Sequence, residues 1–529
     1  MNTVDGIVIG GGHNGLICAA YMARAGLHVA VIERNPEIGG GSTTEEVTLP
    51  GFRHNLHSNF YVGCADAPLF RDLELDHHGF SLILPPVQRG ITFRDHTCLV
   101  VHRDPEKTAA SIARFSESDA ETYRKLHGRY AVRMRPLLLS LVYSPPLPSD
   151  ELKARIRGHE GEELLAYASL TMNEAIEKTF ENDKVRSFIK MVIHSATVEN
   201  VPGTGVFFPM AISGLAMAAL PVGGSVQLPR ALARSIEADG GKVLRGRTVT
   251  KIEVSSGEAR AVVLEDGERW EARKFIAGGI DAPQTLRLLG EKALPETVVR
   301  KLQGWNWGAH TLCTLHLALN EPPRYLSSSF DPDIDRTYDV HFGAESGEEM
   351  TENFNEVHRG KFPSRPMGNG ACNSLFDPTY APHGKHTAFW WVWAHHDLKA
   401  GGAAAWDTMR EEAARRLLEA WRGYAPNLTD DNVLKTYVYT PLDISRRNLN
   451  MVQGSQRGGG YTADQIGVNR PHPLLSGFRT PVRGLFLCSS SCHGGGLNGG
   501  PGYIAANVIA EDLGVRPFWE KIPSPEWKG

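Results

Sequence analysis

The feature that most constrains this chain is a glycine turn that follows an apolar run near the N-terminus. Gly6–Ile9 is typical of a buried parallel strand, and the residues after it have the spacing G-x-G-x-x-G at Gly10, Gly12 and Gly15. In such a turn the first glycine permits the tight bend, the second lets a ligand approach the backbone, and the third allows a helix to pack closely on the strand. The pattern predicts a β-strand that leads through the turn into a helix.

The next residues complete this unit and indicate its ligand. Leu16–Ala25 predicts the helix, and Val29–Ile32 predicts a second strand that ends at the acidic Glu33. The free N–H groups and positive dipole end of the helix favour a pyrophosphate, and His13 and Asn14 are further candidate contacts, although His13 could simply cap the helix. Glu33 is placed to accept hydrogen bonds from ribose hydroxyls and would repel a 2′-phosphate. The unit therefore predicts a Rossmann-type dinucleotide site and disfavours NADP.

A second glycine cluster directly follows this acidic residue. Arg34 is followed by Gly39, Gly40, Gly41 and Ser42. Here the sequence resembles the flavoprotein superfamily of phytoene desaturases and amine oxidases, in which a basic residue and a glycine pair wrap the phosphates and ribityl chain of FAD. The resemblance implies that FAD is the cofactor and that these five residues lie against it.

The C-terminal segment resembles the closing motif of the same superfamily. Gly484–Cys488 predicts a strand, Ser489–Gly502 a glycine-rich turn and Tyr503–Leu513 a helix. In the superfamily this motif meets the ribityl chain and the pyrimidine edge of the flavin, where the helix N-terminus favours negative charge. The residues implied as contacts are Cys492, Gly495, Gly496, Asn498, Gly499 and Pro501. Cys492 could also tether the flavin covalently, or it could be a small buried core residue.

A third segment returns to the cofactor in the middle of the chain. Leu228–Ala238 predicts a helix, four predicted strands follow it between residues 242 and 277, and the resemblance implies that the backbone at Val249 touches the adenine. The predicted fold is therefore α/β, a Rossmann-like FAD-binding domain with an inserted mixed α+β substrate domain. The predicted ranges are residues 1–64, 220–290 and 480–529 for the first domain, and residues 65–219 and 291–479 for the second.

The region before the closing motif indicates a branch of the superfamily. The run from Thr440–Asp443 through Arg470-Pro471 to Gly484-Leu485 resembles the phytoene desaturase-like branch, closest to the subgroup named for pyridine nucleotide-disulphide oxidoreductase domain-containing protein 2. Residues 34–63 contain no cysteine, so disulphide exchange is not expected. The sequence has no second nucleotide-binding fingerprint, so we expect electrons to leave for oxygen, a quinone or another acceptor.

The implied activity is an FAD-dependent dehydrogenase, desaturase or oxidase. It would act on a hydrophobic, aromatic or polyene-like small molecule by hydride transfer to flavin N5. Groups suited to remove a proton beside the flavin are His493, His57, Tyr61 and His395, each of which could instead be structural. Two other functions stay open: an amine oxidase of the same fold, and a redox-neutral isomerase or non-catalytic flavoprotein.

An aromatic run in the predicted substrate domain is the main candidate for a substrate-binding wall. Thr387–His396 alternates in the manner of a strand, which places Phe389, Trp391, Trp393 and His395 on one face. The run could be a strand packed in a core on both faces, or one face could line a site for a planar or long apolar substrate.

Composition excludes several other functions. The net charge of −4 leaves no basic surplus for nucleic acid. The scattered cysteines, and the absence of a signal peptide or of an apolar stretch of about 20 residues, indicate a cytoplasmic protein. Val206–Leu220 is expected to be a buried segment, with a tunnel mouth or weak membrane-surface association as alternatives. Adjacent histidines such as His77-His78 or His395-His396 point to opposite faces of a strand, so no metal is predicted, and the oligomeric state is left open.

Overall fold

The computed structural model describes residues 2–196, 198–496 and 499–528. The strands are β1 (Asn2–Ile9), β2 (Val29–Ile32), β3 (Thr44–Glu45), β4 (His54–Asn55), β5 (Leu82–Ile83), β6 (Val87–Thr92), β7 (Cys98–His102), β8 (Leu220–Pro221), β9 (Lys242–Leu244), β10 (Val249–Ser255), β11 (Glu258–Leu264), β12 (Arg269–Gly278), β13 (Thr311–Leu319), β14 (Asp339–Phe342), β15 (Gly368–Ala371), β16 (His386–Ala394), β17 (Val433–Tyr439) and β18 (Leu485–Leu487). The helices are α1 (His13–Arg24), α2 (Pro68–Asp72), α3 (Pro105–Ala113), α4 (Glu117–Leu126), α5 (Arg135–Tyr143), α6 (Ser149–Arg155), α7 (His159–Ala166), α8 (Met172–Thr179), α9 (Asp183–His194), α10 (Phe207–Ser213), α11 (Gln227–Ala238), α12 (Ala282–Leu289), α13 (Glu296–Gln303), α14 (Gly347–His358), α15 (Ala405–Arg422), α16 (Pro441–Arg447) and α17 (Gly500–Leu513).

The first sheet combines strands from three distant parts of the chain. Its order is β10-β11-β12-β1-β2-β9, and β18 also pairs with β12. The pairs β1–β2, β1–β12, β2–β9 and β12–β18 are parallel. Parallel strands are covered on both faces, and all four residues of β2 are accordingly apolar and buried.

Helix α1 lies between α11 and α17 against this sheet. All its residues from Asn14 to Ala23 are buried, so it has almost no solvent face. The helix contains several small residues, among them Gly15, Ala19 and Ala20, and these allow the neighbouring helices to pack closely against it. The N-terminal, middle and C-terminal segments thus share one core.

The second sheet has the order β17-β13-β16-β15-β14-β6-β7, and only its β6–β14 pairing is parallel. Strand β16 crosses its centre, and its two faces belong to different hydrophobic cores. Phe389, Trp391 and Trp393 face one core, while Trp390 and Val392 face the other, which α15 covers. The predicted alternation of this strand is therefore confirmed.

The α/β fold class predicted from the sequence is confirmed. Strands of the first sheet all lie within residues 1–64, 220–290 and 480–529, and those of the second within residues 65–219 and 291–479, although the exact domain bounds stay a prediction. Helices α1 and α17 begin at His13 and Gly500, three residues earlier than predicted, because the glycine turns already contain the first helical residues. Across the described ranges, no helix is both long and apolar enough to cross a bilayer.

Candidate functional site

Two glycine turns meet at one edge of the first sheet. Strands β1, β12 and β18 are in register at their ends, where Ile9 aligns with Gly278 and Gly278 aligns with Leu487. The N-terminal glycine turn follows β1 and the C-terminal one follows β18. In open α/β sheets, ligands bind outside the carboxyl ends of the strands, so a binding site is expected at this edge.

The N-terminal turn presents a helix start to open space. Gly12 is the N-cap of α1, and a Cβ atom built on it would meet no other atom within 4 Å. At Gly15, in contrast, a Cβ would lie 2.5 Å from the carbonyl oxygen of Gly10, so only glycine allows helix and turn to pack this closely. The unpaired N–H groups of the first helical turn therefore face an opening into which a phosphate could come.

One cavity, about 300 Å³ in volume, extends from this turn to the end of β2. Glu33 lies in its wall, where its carboxylate accepts hydrogen bonds from the N–H groups of Gly11 at 2.7 Å and Asn35 at 2.8 Å. Burial raises the pKa of Glu33, and these N–H donors oppose that rise. Arg34 and Val249 line the same cavity, so the residues predicted to bind ribose, phosphate and adenine are brought together.

A second cavity, about 360 Å³ in volume, begins where the first ends. Both are lined by Gly12, Gly40, Gly279, Asn448 and Asn450, so the two cavities adjoin, and together they are called the trough below. The trough runs from Glu33, past the start of α1, to the C-terminal turn.

Two side chains of the N-terminal turn tie it to the C-terminal turn. His13 Nε2 lies 3.0 Å from the carbonyl oxygen of Gly496, and Asn14 Nδ2 donates to Ser490 Oγ at 3.1 Å. His13, Asn14, Gly495 and Gly496, whose contact with a cofactor stays a prediction, all line the larger cavity.

The other predicted cofactor residues have different positions. Gly10 lines the smaller cavity and Gly41 the larger one. Asn498 lies outside the described residues. Six of the described residues that were predicted to contact the cofactor do not line the trough: Gly15, Gly39, Ser42, Cys492, Gly499 and Pro501. The sequence motifs located the trough, but several motif residues serve its packing rather than its surface.

The larger cavity extends from the glycine turns into the substrate region, where its walls are mostly apolar. Its apolar lining residues among those described are Phe60, Val62, Val192, Ile193, Ala196, Val198, Phe207, Met210, Ala211, Trp391, Met451 and Tyr461. Among the described residues that line this cavity, Trp391 is the one that belongs to the predicted aromatic run. The aromatic run is therefore mainly a core strand that contributes a single ring to the cavity.

A buried ion pair lies at the polar part of this cavity. Arg89 Nε donates to Asp339 at 3.0 Å, and Asn369 Nδ2 donates to the other carboxylate oxygen at 2.8 Å. Arg89 Nη1 also donates to the carbonyl oxygens of Gly214 and Leu215. Because these charged groups satisfy one another, the cavity offers no unpaired charge at this position.

Among the four predicted proton acceptors, the structure places His57 in the cavity wall. Its Nε2 lies 3.1 Å from the Tyr439 hydroxyl, and its Nδ1 lies 3.4 Å from Thr43 Oγ1. Burial lowers the pKa of His57 to about 3, so the imidazole is neutral at pH 7. A neutral imidazole can accept a proton, but a pKa this low makes the buried imidazole a weak base.

The other three candidates do not reach the cavity. His493 Nε2 is bonded to the Leu141 carbonyl oxygen at 2.8 Å, and the Tyr61 hydroxyl donates to the Ser225 carbonyl oxygen at 3.3 Å. His395 follows the end of β16, where its Nδ1 bonds within its own turn to Asp397. The sequence suggested these three side chains as groups near the flavin, but none of them is among the described residues that line the trough.

Sequence reasoning missed the role of Arg470, which holds the cavity wall together. This side chain is 1% exposed and donates to six backbone carbonyl oxygens, those of Arg457, Gly459, Gly460, Gln465, Ser490 and Cys492. It also lies 4.7 Å from the centre of the Tyr461 ring. One guanidinium thus joins the Gly458–Tyr461 turn to the C-terminal turn, and only the Arg470-Pro471 dipeptide of the motif pointed to it.

Buried neutral histidines predict a specific dependence of stability on pH. Burial lowers the pKa of His54 and His57 to about 3 and that of His194 and His493 to about 4. Histidine in the unfolded chain titrates at about 6.5. Between about pH 4 and pH 6.5 the unfolded state therefore binds more protons than the folded state, and the free energy of unfolding rises with pH over that range. We expect the free energy of unfolding to fall by more than ~5 kcal/mol from pH ~6.5 to ~4, since each pKa unit is worth about 1.4 kcal/mol.

Urea unfolding measured at several pH values checks this expectation. The variant His194→Gln should show a shallower slope between pH ~5 and ~6.5, where carboxylates with ordinary pKa values contribute little. The same slope in the variant and in the original protein would contradict the assignment of that slope to buried histidines.

Comparisons with known proteins agree with this architecture. Residues 8–73 match the family of NAD(P)-binding Rossmann-like domains. A limonene dehydrogenase polypeptide of Castellaniella defragrans is 29% identical over 97% of this chain and 96% of that protein. Pyridine nucleotide-disulfide oxidoreductase domain-containing protein 2 of Rattus norvegicus is 27% identical over 96% of this chain and 94% of that protein. A solved structure of a putrescine oxidase mutant superposes with a TM-score of 0.63 at 15% identity, covering 97% of this chain and 99% of that one.

These full-length similarities confirm the resemblance predicted from the motifs. The chain is an oxidoreductase, similar along almost its whole length to this limonene dehydrogenase polypeptide and to a phytoene desaturase of Myxococcus xanthus. Its solved neighbours establish the fold, and the relatives that match along the whole chain establish the class of enzyme. The match at residues 8–73 includes the N-terminal glycine turn and Glu33, which lie at one end of the trough.

Proposed function

We propose that the chain binds FAD along the trough and uses it to dehydrogenate or oxidise an uncharged, apolar small molecule. The observation that carries the proposal is that the two cavities of the trough adjoin, with Glu33 at one end and an apolar, aromatic wall at the other. A dinucleotide needs an acceptor for its ribose at one end, and hydride transfer needs a dry cavity at the other.

The residues that line the trough fit FAD. Val249 would hold the adenine, Glu33 the ribose, and the open helix start at Gly12 the phosphates, with Gly41 and Gly495 nearer the flavin ring. When bound, FAD would supply a hydride acceptor beside the larger cavity. The chain's own contribution is to hold the substrate against that position and to exclude water.

The larger cavity favours an uncharged substrate. Its ion pair, Arg89 with Asp339, is satisfied internally, and no lysine is among the described residues that line the trough. The amine oxidase alternative would call for an unpaired anion to receive an ammonium group, whereas the further charged residue among the described residues that line the larger cavity is the cation Arg457. The name of the relative limonene dehydrogenase supports a cyclic or polyene hydrocarbon instead, with oxygen or a quinone as the proposed electron acceptor.

His57 is the residue proposed to take up the proton released at the substrate. It is neutral, lies in the cavity wall, and can share a proton with the hydroxyl of Tyr439. The variant His57→Gln should keep its flavin but reduce it at least ~100-fold more slowly, the usual contribution of general base catalysis. Anaerobic stopped-flow absorbance measures this rate.

The matched control is His395→Gln, because the structure places His395 outside the cavity in a turn after β16. We expect this variant to reduce its flavin at the original rate. Equal rates in the His57 variant and in the original protein would show that His57 carries no proton in the reaction.

The experiment that tests the function is an absorbance spectrum followed by anaerobic titration with limonene, a longer polyene, a hydrophobic alcohol and cyclohexylamine. Bleaching of the flavin by a hydrocarbon or alcohol would support the proposal, and bleaching by the amine alone would establish the amine oxidase alternative. A bound flavin that turns over a substrate without net oxidation would indicate an isomerase. A colourless protein that takes up no FAD would refute the assignment of the trough.

A further inference from the structure

We propose that the substrate domain contains a divalent metal site, suited to Zn²⁺, formed by Glu199, His310 and His358. These residues come from three separate segments: the chain after α9, the residue just before β13, and the last residue of α14. One carboxylate oxygen and two imidazole nitrogens lie within 4.8 Å of one another. Two histidines and one carboxylate form a common ligand set for zinc.

Two of the three distances between these atoms are close to the edges of a tetrahedral site. Glu199 Oε2 lies 3.2 Å from His310 Nδ1 and 3.4 Å from His358 Nε2. Zinc bonds to nitrogen and oxygen are about 2.0–2.2 Å long, which separates tetrahedral ligand atoms by about 3.3–3.5 Å. An ion placed beside Glu199 Oε2 would therefore lie within reach of both imidazole nitrogens.

The groups around two of the ligands, His358 and Glu199, orient them toward that position. His358 Nδ1 lies 2.9 Å from the carbonyl oxygen of Phe354, so that nitrogen carries the N–H and the lone pair of Nε2 faces the carboxylate. The N–H of Ala309 donates to Glu199 Oε1 at 3.1 Å, which leaves Oε2 for the site. A metal-bound histidine usually donates its other N–H to a carbonyl or carboxylate in this way.

The site has a buried side and an open side. The side chains of Glu199 and His310 are 8% and 5% exposed, whereas that of His358 is 47% exposed. An ion can therefore enter from solvent, and a water molecule can complete its coordination. Val198, next to Glu199, lines the larger cavity, so a bound ion would hold this wall to β13 and α14.

The sequence predicted no metal, because it offered only adjacent histidines. The three residues of this cluster are separated by more than 40 positions and follow none of the close spacings of known metal motifs. An imidazolium–carboxylate ion pair is the other arrangement that these atoms can form, and metal binding distinguishes the two. The proposal is independent of the flavin.

The test is calorimetric titration of the full-length protein with ZnCl₂ after treatment with EDTA and dialysis. We expect one tight site per chain, and at least ~100-fold weaker binding in His358→Ala, which removes one of three protein ligands on an exposed side chain. The matched control is His159→Ala, since His159 also pairs with a carboxylate, Glu163 at 3.3 Å, but is 82% exposed and has no second imidazole in its pair. This control should bind Zn²⁺ as the original protein does.

Thermal unfolding supplies a second measurement. Zn²⁺ should raise the midpoint of the original protein and of His159→Ala but not that of His358→Ala, because a ligand stabilises only the state that binds it. If the original protein binds Zn²⁺ no more tightly than His358→Ala, the cluster is an ion pair and the proposal is wrong. Loss of the site in His159→Ala would also overturn it, since the ion would then bind elsewhere.

Discussion

Replacing Gly12 with valine is expected to abolish flavin binding while leaving the fold intact. A Cβ atom at this position meets no protein atom within 4 Å and projects where the two cavities join, so the added side chain occupies the place of the phosphates. The backbone at Gly12, with φ of −71° and ψ of 162°, is one that valine adopts readily. We expect FAD affinity to fall by ~100-fold or more, which corresponds to about 2.7 kcal/mol.

Flavin absorbance of the purified protein and fluorescence titration with FAD measure this loss. The matched control is Gly477→Val, since a Cβ atom added to Gly477 would also have no atom within 4 Å but would lie outside both cavities. The control should keep its flavin. A yellow Gly12→Val protein with the original affinity would show that the dinucleotide does not pass over the start of α1.

Replacing Arg470 with methionine is expected to lower the free energy of unfolding more than replacing it with lysine or replacing Arg479 with methionine. The guanidinium is buried and satisfies six carbonyl oxygens, which methionine would leave without a donor in the protein interior. Breaking buried charged hydrogen bonds of this kind costs about 3–5 kcal/mol. Because those carbonyls belong to the turns that form the cavity wall, the variant should also retain less flavin.

Urea unfolding of the two proteins without flavin measures the change in stability. Arg479→Met is the matched control: this arginine is 45% exposed, pairs with Asp512 on the surface, and should cost no more than about 1 kcal/mol. Arg470→Lys should be intermediate, because it keeps the charge but not the planar set of donors. Similar stabilities for the two methionine variants would mean that the six carbonyls find other donors.

The nucleotide half of the site could be predicted because its signals are local. An apolar strand, a glycine turn with fixed spacing and a following helix all lie within about 30 residues, and local sterics require glycine at Gly15 whatever surrounds the turn. The acidic residue at the end of β2 has the same local character. These patterns identified both ends of the chain as parts of one site before any contact between them was known.

The substrate half was less predictable. His493 and His395 were chosen from a motif and from strand alternation, yet the first bonds to Leu141 and the second lies in a turn beyond β16. His57 was proposed on the same kind of grounds and does line the cavity. Sequence narrows such candidates to a few residues, but the direction of a side chain in a loop depends on the segments packed against it.

Local sequence patterns therefore predicted the fold class, the two glycine turns and the acidic residue Glu33 at the end of the second strand. The trough, the six-carbonyl contact of Arg470, the Arg89–Asp339 pair and the Glu199–His310–His358 cluster exist only in the folded chain. Arg89 and Asp339 lie 250 positions apart, and their chemistry comes from burial that removes competing water. Burial and long-range proximity are properties of the packed structure, and no spacing along the chain encodes them.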